Sequence, residues 1–297
     1  MIQFEALSPV PVIEEYLHDK GWLLPNERVS KINTAGEGNM NVVLRVTSNL
    51  RSFILKQSRP FVQKYKQIAA PLERIAIEKQ FYEVIQVGYL LDHAPKTLGF
   101  DATNYVLILE DLGNCQDMSN IYHQRNVPDN IVKDLTTILK TIHSSDAPKD
   151  FPKNLEMRKL NHQHIFELPF LNDNGFSLDG IQPGLQGLSV PYKNDSALKK
   201  IISEIGSLYL HNGNTLLHGD YYPGSWMTEK DNLYIIDPEF AFVGFAEFDL
   251  GVMAGHLLIA THDKTYMDRI LELYGNTVDR KLVKRMAGIE IMRRIIG

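Results

Sequence analysis

At 297 residues the chain is long enough for one large domain or two lobes with a real core. Its net charge of −5 argues against nucleic acid or an anionic membrane as the main partner, and no apolar run approaches the ~20 residues of a membrane span. Cys115 is the only cysteine, which excludes an intrachain disulfide and fits a reducing cytoplasm, the expected location.

The start, Met1-Ile2-Gln3-Phe4-Glu5, lacks the basic-then-apolar pattern of a signal peptide. Residues 11–20 read as a short helix with Val12, Ile13, Tyr16 and Leu17 on one side, ended by Gly21. A candidate strand over 28–35 is followed by Gly36-Glu37-Gly38-Asn39-Met40-Asn41 and a second strand at 42–46. A flexible turn between strands can lay backbone N–H groups over phosphates; a plain hairpin turn would look much the same. The glycine pattern is incomplete, because Asn41 stands where a third Gly would complete G-x-G-x-x-G.

In the next strand, 52–58, period-2 alternation puts Lys56 on the face of Ile54. Residues 72–87 read as a helix in which Ile75, Glu78, Tyr82 and Ile85 form one stripe. A carboxylate on an inward stripe is costly without a cation, and Lys56 is the candidate partner. Singly, Lys56 reads as a solvated strand lysine and Glu78 as a rim residue. In the order turn, lysine strand, glutamate helix, they read as a pair aiming the lysine at nucleotide phosphates. The buried-type strand 105–109 runs into Glu110-Asp111-Leu112-Gly113, where the composition changes and the lobe boundary is placed; its backbone could hold a nucleotide base.

Helices are expected over 130–143 and 196–211. Between them, 148–186 is long for a loop and is expected to hold short elements and to shape an acceptor pocket. His143, His162 and His164 show no metal-ligand spacing and read as ordinary polar residues.

The chemistry concentrates in Leu216-Leu217-His218-Gly219-Asp220-Tyr221-Tyr222-Pro223-Gly224-Ser225 and in Asp237-Pro238-Glu239. Two short strands, 226–228 and 233–236, flank a polar turn, so a hairpin delivers Asp220, Asp237 and Glu239 to one end of itself. Phosphoryl transfer needs one carboxylate to orient a hydroxyl and take its proton, and others to hold Mg²⁺, which prefers oxygen ligands. A surface turn rich in Asp and Gly is the bland alternative. Asp249, before the helical run 250–260, either caps that helix or braces the loop around Asp220, and His218 reads as a buried brace. A last helix from Arg280 holds Arg293-Arg294 and stops at Gly297 without a cap or polar tail, so the native chain is expected to continue.

Together these residues resemble the small-molecule kinases related to aminoglycoside phosphotransferases and choline kinase, and within them are most similar to the 5-methylthioribose kinases. The likeness covers most of the chain. It includes the glycine turn, Leu55-Lys56-Gln57, Leu72-Glu73-Arg74 with Glu78, Glu110-Asp111-Leu112, His164-Ile165-Phe166, His218-Gly219-Asp220, Asp237-Pro238-Glu239, Phe248-Asp249-Leu250-Gly251 and Arg293-Arg294.

The resemblance implies an α+β, two-lobed protein-kinase-like fold. An N-terminal antiparallel-sheet lobe, 1–112, would bind nucleotide, and a mainly helical C-terminal lobe, 113–297, would carry catalysis and the acceptor. It implies ATP and Mg²⁺ as cofactors and a small, sugar-like hydroxylated substrate, and it leaves a homodimer open. Asp220 would be the catalytic base. Gly36, Gly38, Asn39, Asn41, Lys56, Glu78, Glu110 and Leu112 would serve the nucleotide. Asp237, Glu239 and Ser225 would serve the metal, Ser225 standing where many members carry Asn. Arg293, Arg294 and Tyr222 would face the acceptor; a helix-end salt bridge is the plainer reading of the arginines.

Two departures lie where the acceptor would bind. Ala69-Ala70-Pro71 lacks a Trp before the proline, and Tyr221-Tyr222-Pro223 replaces the usual Leu-His-Thr. A kinase with a choline- or aminoglycoside-type acceptor and a nucleotide-binding pseudokinase are the rival readings. A metal hydrolase using His218, Asp220 and Asp237 leaves Lys56 with Glu78 unexplained.

Overall fold

The computed structural model describes residues 2–36, 40–230 and 232–297. They form two compact units, Met1–Cys115 with Tyr234–Glu239, and Gln116–Leu233 with Phe240–Gly297.

The first unit begins with helix α1 (Val10–Asp19) and continues through strands β1 (Val29–Thr34), β2 (Val42–Ser48) and β3 (Ser52–Gln57). A short ribbon, β4 (Phe61–Val62) and β5 (Tyr65–Ala69), leads to helix α2 (Arg74–Ile85), then β6 (Thr97–Asp101) and β7 (Val106–Glu110). The five-stranded sheet has the order β1-β2-β3-β7-β6, and each pairing is antiparallel. Register fixes its two faces. Leu44 lies opposite Leu55 and Leu55 opposite Ile108, so these residues share a face, and they join Ile13, Tyr16 and Leu17 of α1 in one core. Lys56, one residue on, lies opposite Val43 and Leu107 and projects from the other face. On α2 the buried residues are Arg74, Ile75, Ile77, Glu78, Phe81, Tyr82 and Ile85, so the stripe read from the sequence faces inward, Glu78 included.

Asp101, at the end of β6, holds this unit together locally. It accepts from Tyr16 and Asn104 side chains and lies 2.7 Å from Lys20 Nζ. Burial works against its charge, but Lys20, Asn104 and Tyr16 outweigh it and hold the carboxyl well below the usual carboxylate range.

The second unit contains β8 (Gln116–Asp117), α3 (Ile121–Gln124), α4 (Asp129–His143), α5 (Leu155–His162), α6 (Leu185–Asn194) and α7 (Ser196–Leu210). It continues with β9 (Thr215–Leu217) and β10 (Trp226–Glu229). Along β11 (Asn232–Ile235) the chain passes back into the first unit; it returns before β12 (Phe242–Gly244), α8 (Glu247–Thr261), α9 (Thr265–Tyr274) and α10 (Arg280–Ile296). The aperiodic stretch 148–186 does hold short elements, among them α5 and a π-helical turn at Gln163–Glu167.

Helix α8 is buried on nearly every side, from Phe248 to Leu257, so no amphipathic stripe marks it. Gly251 and Gly255 let α10 approach closely. A Cβ at Gly251 would lie 2.5 Å from Met286 Cβ, and one at Gly255 would lie 3.0 Å from Glu290 Cβ. Buried Arg158 closes another end: its Nη2 donates to the carbonyls of Tyr209 and His211, both at 2.8 Å, which α7 leaves without intrahelical partners. Among the described residues, no helix is long and apolar enough to cross a membrane.

Candidate active site

The first unit places Lys56 Nζ 2.6 Å from Glu78 Oε2 and 2.5 Å from Asp237 Oδ1. Lys56 and Glu78 are buried, whereas the Asp237 side chain is 49% exposed and keeps a face to solvent. Burial alone would pull the Lys56 ammonium down, but Asp237, Glu78 and Glu239 outweigh it and hold the group above its ordinary value. One ammonium cannot compensate three carboxylates. Burial pushes Glu78, the deepest, up to about 8, against the pull of Lys56. Asp237 has φ of +63°, a left-handed conformation that Asp tolerates better than most residues, and its N–H donates to the Tyr82 hydroxyl.

Glu239 is only 5% exposed. Its Oε2 accepts from Asn41 Nδ2 at 2.8 Å and lies 3.2 Å from Arg74 Nε. Arg74, fully buried, also donates to Asn41 Oδ1 and to the carbonyls of Met40, Arg59 and Pro71. The last residue of the glycine turn is thereby tied to the start of α2 and to the Asp237-Pro238-Glu239 segment. Gly36 has φ of +74° with open space around its Cβ position, while Gly38 and Asn39 lie outside the described residues. Glu110 Oε2 accepts from Lys96 N, and Leu112 is half-buried on the connector after β7.

The second unit builds the loop around Asp220. Antiparallel pairing of Leu217 with Phe242 fixes its start. Asp249 then accepts from His218 N at 2.7 Å and from Gly219 N at 3.0 Å, so it braces the loop. It does not cap α8, which starts earlier, at Glu247, after Ala246. His143 Nε2 stands 3.2 Å from Asp249 Oδ2. Gly219 has φ of +84°, and a Cβ there would come 2.2 Å from the Phe240 carbonyl oxygen, so only glycine fits. His218 is wholly buried, and its Nδ1 accepts from Asp220 N. Ser225 Oγ donates to the Asp220 carbonyl at 2.9 Å.

The two tyrosines that depart from the expected pattern have different tasks. Tyr221 is buried and donates to the Leu135 carbonyl of α4, which pins the loop to the core. Tyr222 lies over the end of α10, its ring 5.2 Å from the Arg294 guanidinium and 5.4 Å from the His256 ring. Arg293 and Arg294 both bond Glu290 of their own helix, as the helix-end reading supposed, but Glu290 is buried and also lies 2.8 Å from His256 Nε2. Sequence reasoning gave Arg74 no role, although Leu72-Glu73-Arg74 stood in the likeness, and missed Glu290 and His256. The one available signal was Glu290 standing three and four residues before the arginines.

The family model described as "Phosphotransferase enzyme family" (APH) matches residues 31–284. The chain belongs to this phosphotransferase family. Among curated relatives, methylthioribose kinase 1 of Oryza sativa subsp. japonica is 27% identical over 246 residues, which is 77% of this chain and 56% of that protein. Methylthioribose kinase of Exiguobacterium sibiricum is 28% identical over 272 residues, 84% of this chain and 67% of the relative. The chain thus spans little more than half the length of the rice relative.

Solved phosphotransferase structures share the fold. Choline kinase LicA from Streptococcus pneumoniae gives a TM-score of 0.58 at 17% identity, over 96% of this chain and 87% of that one. Spectinomycin phosphotransferase in complex with ADP and spectinomycin gives 0.57 at 14% identity, over 98% and 86%. The fold is protein-kinase-like, with an N-terminal antiparallel sheet and a mostly helical remainder.

Proposed function

We propose that this protein is an ATP-dependent kinase that phosphorylates a hydroxyl of a small, sugar-like molecule, with 5-methylthioribose or a related sugar as the acceptor. The observation that carries the reading is Lys56, buried between Glu78 and Asp237 beside a half-solvated carboxylate. A buried ammonium held this way is ready to meet phosphate oxygens. Relatives named methylthioribose kinase support the choice of acceptor class.

In this reading residues 1–112 bind the nucleotide, and residues 113–297 bind the acceptor and carry the catalytic carboxylate. Lys56, aimed by Glu78, contacts the phosphates. The turn from Gly36 to Asn41, with Gly38 and Asn39, covers them, and the Glu110–Leu112 backbone receives the base. Asp220 orients the acceptor hydroxyl and takes its proton. Its backbone is fixed by His218 and Ser225 while Asp249 holds the preceding residues, so little reorganisation is needed at the moment of transfer.

The donor set suits Mg²⁺. Asp237, Glu239 and Ser225 are hard-oxygen residues, and no group of three His, Cys, Asp or Glu among the described residues is arranged to hold a metal by itself. Mg²⁺ is commonly held through one or two carboxylates plus nucleotide phosphates. When bound, Mg·ATP would supply the phosphoryl group and neutralise its charge. The half-exposed Asp237 is the carboxylate best placed to take the cation, with Glu239 steadied from below by Arg74.

The test is ADP release from Mg·ATP with 5-methylthioribose, beside sugars, amino alcohols and aminoglycosides. Sugar-dependent release that disappears in Asp220→Ala is expected. Equal release in the variant would remove Asp220 from its role.

A further inference from the structure

Helix α2 does more than supply Glu78. Arg74, Glu78 and Tyr82 stand four residues apart, so they share one face, and all three are fully buried. Each reaches a different part of the site within the first unit. Arg74 Nε lies 3.2 Å from Glu239 Oε2, and Glu78 Oε2 lies 2.6 Å from Lys56 Nζ. The Tyr82 hydroxyl accepts from Asp237 N at 3.2 Å. The first two contacts hold side chains. The third holds backbone, and the mechanism gives it no task.

The ring of Tyr82 alone would be a packing group. Its chain neighbour Phe81, also fully buried, fills its place without a polar atom. A hydroxyl at such a position is costly unless it has a partner. Here the partner is the N–H of Asp237. Burial first, and then the charges of Glu78 and Asp237, hold the phenol well above its ordinary range. It therefore stays neutral and keeps lone pairs for that N–H.

The backbone at Asp237 needs holding. Its φ of +63° is left-handed, and a residue with a side chain persists there only when its surroundings over-determine it. Two residues earlier, Ile235 N donates to the His93 carbonyl at 2.8 Å. Two residues later, Glu239 is gripped through its side chain by Asn41 and Arg74. Between these anchors Tyr82 holds the main chain at Asp237 itself. The consequence is directional. Asp237 Oδ1 lies 2.5 Å from Lys56 Nζ while the side chain is 49% exposed, so the way the rest of the carboxylate faces depends on the backbone that carries it.

We propose that Tyr82 is a positioning residue for Mg²⁺: its hydroxyl fixes the left-handed backbone of Asp237, so that this carboxylate is already aimed when cation and nucleotide arrive. The inference deepens the proposed kinase function and rests on it. Removing the hydroxyl oxygen leaves the ring packing in place and the Asp237 N–H without its acceptor. The carboxylate then has to be ordered during binding, which weakens the hold on the cation.

The test uses the full chain and follows thermal stabilisation by ADP as Mg²⁺ is titrated, beside ADP in EDTA. Tyr82→Phe should raise the Mg²⁺ concentration at half effect about tenfold, while the response to ADP in EDTA stays that of the wild type. In an Asp237→Ala background the same substitution should move the Mg²⁺ midpoint less than about twofold, because the carboxylate it positions is gone. A midpoint unmoved in Tyr82→Phe would overturn the proposal. So would an equal loss of ADP stabilisation with and without Mg²⁺, or full additivity with Asp237→Ala, since each marks a residue that only supports the fold. If Mg²⁺ adds nothing to the stabilisation of the wild type by ADP, it is the reading of Asp237 as a metal ligand that falls.

Discussion

Lys56 shows how much a single buried side chain can be asked to carry. Its ammonium is within ion-pair distance of two carboxylates, and Glu78 has no solvent to replace it. Removing one partner of a buried pair typically costs about 3–5 kcal/mol. Lys56→Met should therefore lower the unfolding temperature as well as abolish stabilisation by Mg·ATP; a variant with wild-type Mg·ATP stabilisation would remove the lysine from the phosphate site. Asp237 is different, because half of its side chain is solvated. Asp237→Ala should leave the fold nearly intact and weaken the Mg²⁺ dependence of nucleotide binding, and an unchanged Mg²⁺ titration would count against that assignment. Gly219 is a backbone requirement rather than a chemical one. With φ of +84° and the Phe240 carbonyl 2.2 Å from a Cβ position, Gly219→Ala should destabilise by more than about 2 kcal/mol in denaturant titration.

At the scale of elements, strand and helix periods did most of the prediction. Alternation put Lys56 on the opposite face from Leu55, and the 3.6-residue stripe put Glu78 inward, so their meeting needed only that α2 cover that face of the sheet. Partners distant in sequence were not legible. Nothing near Arg74 announces Glu239, and nothing near His256 announces Glu290; those pairs exist because helices and loops converge after folding. Helix α8 was read from its apolar run at 250–260, but its earlier start and its packing were not: buried all round, it shows no stripe, and its glycines matter only because α10 lies against them. The Asp101 cluster joins α1 to β6 and gives a pH prediction. Its carboxyl is held low in the folded state, so its stabilisation is fully present above the unfolded carboxylate range, about pH 4, and is lost as pH falls through the folded value. Asp101→Asn should be less stable at neutral pH, and the difference from wild type should shrink on acidification; a constant difference down the acid limb would refute the linkage.

For the whole molecule, the sequence motifs named the phosphotransferase family, and the match over residues 31–284 shows it. The return of the chain into the first unit at Tyr234–Glu239 was invisible in the sequence, because no composition change marks it. That return brings Asp237 and Glu239 to Lys56 and Arg74, while Asp220 belongs to the other unit. The surroundings of Tyr222 were the least legible, since Arg294 and His256 come to it from α10 and α8, elements far apart in the sequence. The central claim is that Asp220 directs a phosphoryl group from ATP onto a sugar hydroxyl. The most direct measurement is the mass of 5-methylthioribose after incubation with Mg·ATP and either wild type or Asp220→Ala. The account predicts a gain of one phosphoryl group with the wild type and none with the variant; the same gain with both would contradict it.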